Sequence, residues 1–121
     1  MGKFVIRNVP SGVKFDLKAE NGETIATSEV YNSLPACHRG IESVRKCAAA
    51  EKLEDLTEEI PNLCSNPKFE VFLDKAGLYR FRLRSRNGKI IGFSEGYTAK
   101  AGCLNGIESV KTNAPAAETE E

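Results

Sequence analysis

The chain has 121 residues, 40% apolar and 28% charged, and its Lys plus Arg count equals its Asp plus Glu count. That length predicts one domain with its own core, and zero net charge leaves no overall field to draw it to nucleic acid or a membrane surface. No apolar run approaches the roughly 20 residues of a spanning helix, and MGKFVIRNVP lacks the parts of a secretory leader, so a cytoplasmic location is expected.

The elements read in chain order as strand, strand, strand, helix, strand. A first strand turns at residues 8–12. A second, carrying Phe15 and Leu17, runs to Asn21-Gly22. That dipeptide between alternating runs predicts a tight type I′ hairpin into ETIATS. Asn32 is the expected N-cap of a helix with Pro35 in its first turn. Cys37, Ile41, Val44 and Ala48 recur at helical spacing and make one apolar stripe. Lys52–Thr57 reads as a short fourth strand with Leu53 buried, although Leu53, Leu56 and Ile60 also fit a helix. Residues 58–67 are the linker. The pattern then restarts. Phe69, Val71 and Leu73 alternate with polar residues, residues 74–77 turn, and Phe81 and Leu83 alternate with arginines. Asn87-Gly88 leads into KIIGFS, and Thr98 is the second expected cap. Cys103, Ile107, Val110 and Ala114 repeat the stripe, and Pro115 ends it. Residues 116–121 form an acidic tail.

The restart is an internal duplication. Shifted by 66 residues, positions 15–46 overlie 81–112 with 14 of 32 identical. Residues 1–57 are repeat 1 and 68–121 repeat 2. Two copies are too few for a solenoid; a pseudo-twofold pair, equivalent to a fused homodimer, is the natural reading and predicts a monomer. The most regular copy is the helical motif Gly40-Ile41-Glu42-Ser43-Val44 and Gly106-Ile107-Glu108-Ser109-Val110. An interior helical glycine costs about 1 kcal/mol relative to alanine. Its presence twice predicts close approach of a backbone or a tyrosine ring at Gly40 and Gly106.

YRFRLRSRNGKIIGFSEGYTAKAGCLNGIESVKTNAP resembles the YegP-like family of small bacterial and archaeal domains. The resemblance rests on the Y-R-F-R-L strand, the N-G turn, the S-E-G-Y segment and the K-A-G-C-x-N-G-I-E-S-V-K-x-N-A helix. Repeat 1 departs from it, with Val30 for the glycine of S-E-G-Y and Leu34-Pro35-Ala36 for K-A-G. The resemblance implies an α+β fold of two tandem β-β-β-α-β units with pseudo-twofold symmetry. They would share one largely antiparallel sheet, exchange their last strands and pack two helices on it. Lys52–Thr57 would then dock on the other repeat's sheet. Ala117–Glu120, poor in apolar residues, leaves the second exchange open. The resemblance implies no activity.

The chemistry-bearing residues give few leads. Arg80, Arg82, Arg84 and Arg86, with Lys89 near the turn, could track phosphates. The matching positions of repeat 1, Lys14, Asp16, Lys18 and Glu20, alternate in sign, which argues against nucleic acid. Phe72 is the one evident aromatic for base stacking there. Cys37 and Cys103 lie early in their helices but on the apolar stripe, and His38 beside Cys37 becomes Leu104 in the second copy. Glu29 and Glu95 are a repeated pair between strand and helix. Cys37, Cys47, Cys64, Cys103 and the lone His38 form no metal-ligand spacing. Free thiols, no metal and no cofactor are expected. The leading reading is a small non-catalytic cytosolic binding module with an unknown partner. The alternatives are an enzyme or thiol-based factor using Cys37/Cys103 or Glu29/Glu95, and a weak nucleic-acid binder through the arginine strand.

Overall fold

A computed structural model describes residues 2–50 and 52–121. Its elements are β1 (Lys3–Val9), β2 (Gly12–Lys18), β3 (Thr24–Thr27), α1 (Leu34–Cys47), β4 (Leu53–Asp55), β5 (Lys68–Leu73), β6 (Tyr79–Arg84), β7 (Ile90–Phe93), α2 (Lys100–Asn113) and β8 (Glu118–Glu120). The strands form one sheet in the order β4-β5-β6-β7-β3-β2-β1-β8. Pairing is antiparallel except at the two edges, where β4 runs parallel to β5 and β8 parallel to β1. The fold is α+β, with the two repeats meeting at the β3–β7 seam.

Period two decides which way each strand faces. Phe4 and Ile6 on β1, Phe15 and Leu17 on β2, Phe69 and Val71 on β5, and Phe81 and Leu83 on β6 are all buried. The helices cover this face with Cys37, Ile41 and Val44 from α1 and Cys103, Ile107 and Val110 from α2. Phe4 meets Phe15 edge-on at 5.6 Å, and Phe69 meets Phe81 at 6.2 Å, a packing that aromatic quadrupoles favour. The seam has one ladder pair, Thr27 with Phe93. Each helix also contacts strands across it, α1 onto β6 and β7, α2 onto β3. Packing therefore joins the halves more than backbone pairing does.

The last strand of each repeat belongs to the other half. Leu53 pairs with Phe69, and Lys3 pairs with Glu118. The acidic tail thus forms the second exchanged strand. Its apolar anchor lies just before it, at buried Ala117. Arg45 of α1 fixes it, donating to the Ala117 carbonyl at 2.5 Å and to Thr119 Oγ1 at 3.0 Å. In β4 the buried residue is Glu54, and Leu53 is only half-buried. Glu54 tolerates burial because Lys68 Nζ lies 2.8 Å away and the Cys64 N–H donates to it.

Two local expectations are corrected. The caps sit one residue later than Asn32 and Thr98. Ser33 has extended backbone and its hydroxyl accepts from the Ala36 N–H at 3.2 Å, whereas Ala99 offers no side-chain acceptor. The hairpins are not type I′, because neither Asn21 nor Asn87 has positive φ. Instead Gly22 N–H returns to Ala19 and Gly88 N–H to Ser85, while Ala19 bonds Glu23 and Ser85 bonds Lys89. These are three-residue loops closed by glycines at φ 89° and 85°, the bulged form of the hairpin. Asn21 and Asn87 serve through their side chains, accepting from Glu23 and Lys89 N–H groups.

The helical glycines receive tyrosine rings from their own repeats. A Cβ on Gly40 would stand 2.2 Å from the Tyr31 hydroxyl, and one on Gly106 2.5 Å from that of Tyr97 and 2.9 Å from Phe81. Alanine recovers about 1 kcal/mol of helix propensity but overpacks at about 1–3 kcal/mol. Gly106→Ala, with a ring carbon as well as a hydroxyl in the way, is expected to lower stability by roughly 1–2 kcal/mol. Denaturant unfolding checks this; a midpoint above wild type would show that the rings move aside freely.

Candidate functional site

The helix-free face of the sheet carries one continuous row of residues. Register places Glu120, Val5, Asp16, Thr27, Phe93, Arg82, Glu70 and Glu54 side by side across all eight strands. Repeat 1 matches repeat 2 along it, with the pseudo-twofold between Thr27 and Phe93. A depression of about 170 Å³ lies there, lined by Arg7, Asp16, Thr27, Phe93 and Glu95 among others. Arg7 closes onto Asp16 at 2.8 Å, and the Thr27 hydroxyl donates to the same carboxylate at 2.7 Å.

The arginine strand is neutralised where it stands. Arg82 and Arg84 both hold Glu70, at 2.5 and 2.7 Å, and Arg80 holds Asp74 at 2.6 Å. Lys68 joins Glu54 to Glu70. The guanidinium of Arg82 also stacks over Phe72 at 4.5 Å, covering the aromatic that the sequence offered for base stacking. Arg86 is not on the strand: β6 ends at Arg84 and Arg86 lies in the turn. With Lys89 it faces the other side of the sheet, toward α1.

The remaining candidates are not brought together. Cys37 and Cys103 are fully buried. Burial first, then the Asp55 charge, pushes the Cys103 thiol up to about 11. Burial and the Glu121 carboxylate raise Cys37 as well. Burial and neighbouring carboxylates thus disfavour the thiolate a nucleophile needs. His38 contacts Glu121 at 3.2 Å on the surface. Glu29 and Glu95 are exposed, and neither side chain has a hydrogen bond or ion pair among the described residues. The serines beside them act on the backbone. Ser28 Oγ accepts from Phe15 N–H and donates to the Glu29 carbonyl; Ser94 does the same with Phe81 and Glu95. They hold the chain where it leaves the sheet, and Tyr31 and Tyr97 then bridge back to Val13 and Tyr79.

Two cations that the sequence reading passed over complete a different grouping. Arg39 and Lys46 lie along the outer flank of α1, facing the turn that carries Arg86 and Lys89. Their spacing marks a shared helix face. Only the exchange of halves places the second repeat's hairpin opposite it.

The geometry defines a class: a strand-exchanged α+β domain made from tandem repeats. The sequence pattern of the Domain of unknown function (DUF1508) matches residues 12–55 and again 74–121. A UPF0339 protein of Pseudomonas aeruginosa is 34% identical over 116 residues, 95% of this chain and 92% of that protein. The chain belongs to this DUF1508, or UPF0339, family. A UPF0339 protein of Methanosarcina acetivorans is 65% identical over 48 residues, 40% of this chain but 83% of that protein, which is little longer than one repeat. The solution structure of yegP from E. coli, a protein of unknown function, superposes with TM-score 0.80 at 32% identity, over 98% of this chain and 90% of that one. No helix among the described residues is long and apolar enough to cross a membrane.

Two measurements follow from these contacts. Burial alone would raise the Glu70 carboxyl, but the Arg82 and Arg84 hydrogen bonds outweigh it and hold it below the usual carboxylate range. Lys68 lowers Glu54, and Arg80 lowers Asp74. Depressed folded values mean stability that is present above the unfolded pKa and lost as pH falls through the folded one. Urea midpoints are therefore expected to hold near neutrality and drop below about pH 4. Glu70→Gln should lower the neutral plateau by roughly 1.5–3 kcal/mol and flatten the acid limb; an unchanged limb would remove Glu70 as its source. Thiol alkylation should separate the cysteines. Half-buried Cys47 and Cys64 react in the native state, while Cys37 and Cys103 react only on unfolding; rapid native labelling of Cys103 would contradict its burial.

Proposed function

We propose that this protein is a small, non-catalytic binding module of the cytosol, acting as a single chain because its second repeat takes the place of a partner subunit. One observation carries this reading. The serines, tyrosines and cysteines that the two repeats share are engaged in holding the fold, and the halves differ in the charge they expose. Ser28 and Ser94 bond the backbone, Tyr31 and Tyr97 seat against helical glycines, and Cys37 and Cys103 lie in the core. An active site built on the twofold pairs would need an activated thiol or facing carboxylates. The buried thiols carry raised pKa values, and the carboxylates are exposed with no side-chain partner among the described residues. The paired arginines of β6 likewise favour a structural role for that strand over phosphate tracking.

The test compares wild type with Cys37→Ala/Cys103→Ala and Glu29→Gln/Glu95→Gln. Each is used to capture proteins, nucleic acids and metabolites from the native host, identified by mass spectrometry. All three are expected to retain the same molecules, unchanged in chemistry. A metabolite converted by wild type and left intact by either variant would establish an enzyme instead.

A further inference from the structure

The cleft between α1 and the β6–β7 turn carries charge that no other part of the fold answers. It has two adjoining lobes of about 200 and 450 Å³, which share Ser43, Ser85 and Asn87 in their walls. Arg39, Ser43 and Lys46 line one wall; Ser85, Arg86 and Lys89 line the other. The α1 residues stand at i, i+4 and i+7, so that wall is about 10 Å long. All four cations are exposed, and none has a carboxylate partner among the described residues. Among the described residues no acid lines either lobe. The nearest in sequence, Glu42, is held by Arg45.

The molecule contains its own comparison. The pseudo-twofold relates this cleft to one between α2 and the β2–β3 turn. There Ser109 matches Ser43 and Asn21 matches Asn87, but Asn105, Thr112, Glu20 and Glu23 stand where Arg39, Lys46, Arg86 and Lys89 stand here. The scaffold is kept and its charge is inverted, so the packing does not require the cations. Four like charges gathered around one concavity repel each other until an anion enters. Hydroxyls of Ser43 and Ser85 add neutral donors. The adjacent ring is closed to stacking: Lys89 lies 5.8 Å over Tyr31, whose hydroxyl packs on Gly40. Recognition there would be of phosphates, not of bases. The volume suits a ligand of few heavy atoms.

We propose that this cleft binds a compact chain of linked phosphates, as carried by inorganic polyphosphate or by a nucleoside di- or triphosphate. The proposal rests on the binding-module reading and names its ligand chemistry. The full chain, isotope-labelled, is titrated at fixed ionic strength with inorganic triphosphate, a nucleoside triphosphate and a single-stranded oligonucleotide. Saturable amide shifts are expected at Ser43, Lys46, Ser85 and Arg86. Arg39→Ala/Lys46→Ala should weaken triphosphate binding about tenfold or more and reduce its salt dependence. Asn105→Ala/Thr112→Ala in the sister cleft should leave it unchanged. Arg39 and Lys46 are exposed and have no ion pairs among the described residues, so an unaltered unfolding curve verifies that the variant is folded. Equal affinity for the two triphosphates supports recognition of phosphates alone, and tighter binding of the nucleotide supports a nucleotide as the source. Shifts scattered over the whole surface, an unaffected double variant, or tighter binding of the oligonucleotide would overturn the proposal. Such a failure leaves the binding-module reading to its own test, the retention of captured molecules by the thiol and carboxylate variants.

Discussion

Everything in this fold depends on where each helix delivers the chain. α1 starts after β3 at the seam, lies over β2, and also packs on β6 and β7 of the second repeat. Its far end therefore releases the chain beside β5, the outermost long strand of the other half. β4 can only pair there. α2 does the same toward β1. A helix that crosses the seam and a strand that changes sides are one constraint seen twice. Without the crossing, β1 and β5 would be bare edges, each with unpaired backbone groups open to other chains. With it, the edges are three-residue strands carrying Glu54, Asp55, Glu118 and Glu120, short and charged as protected edges are.

The repeat made most of this legible. Period two in KFEVFLD and YRFRLRSR gave the faces of β5 and β6, and the helical stripes gave the core side of α1 and α2. What escaped the sequence reading was governed by single atoms or by tertiary placement. Ser33 caps α1 because its hydroxyl reaches the Ala36 N–H from one position beyond Asn32. Asn21-Gly22 and Asn87-Gly88 put only the glycine at positive φ, since Ala19 and Ser85 close the loop one residue wider. β8 lacks the apolar residues of a buried strand because Ala117 and Arg45 supply its attachment from outside the strand itself. The arginines of β6 read from sequence either as a phosphate-tracking stripe or as a face paired across strands, because Glu70 and Asp74, which neutralise them, come from a neighbouring strand and turn.

Duplication also separates two kinds of residue that a single-copy protein would mix. Phe15 and Phe81, Tyr31 and Tyr97, Gly40 and Gly106, and Ser28 and Ser94 recur with the same contacts. They are the terms of the fold. Arg7 against Asp16 and Glu70 against Arg82 show a looser rule: the ion pair between the first two strands persists while acid and base change strands. Arg39, Lys46, Arg86 and Lys89 recur in no form, so the fold places no demand on them.

That inequality has an electrical consequence. A molecule with true twofold symmetry can carry a dipole moment only along its axis, because the transverse components of its two halves cancel. Here the basic cleft and its inverted counterpart lie on opposite sides of the pseudo-axis, so their transverse components add. A chain with as many acids as bases thus has a built-in direction. An approaching anion meets a field gradient between the two clefts even though the monopole is zero.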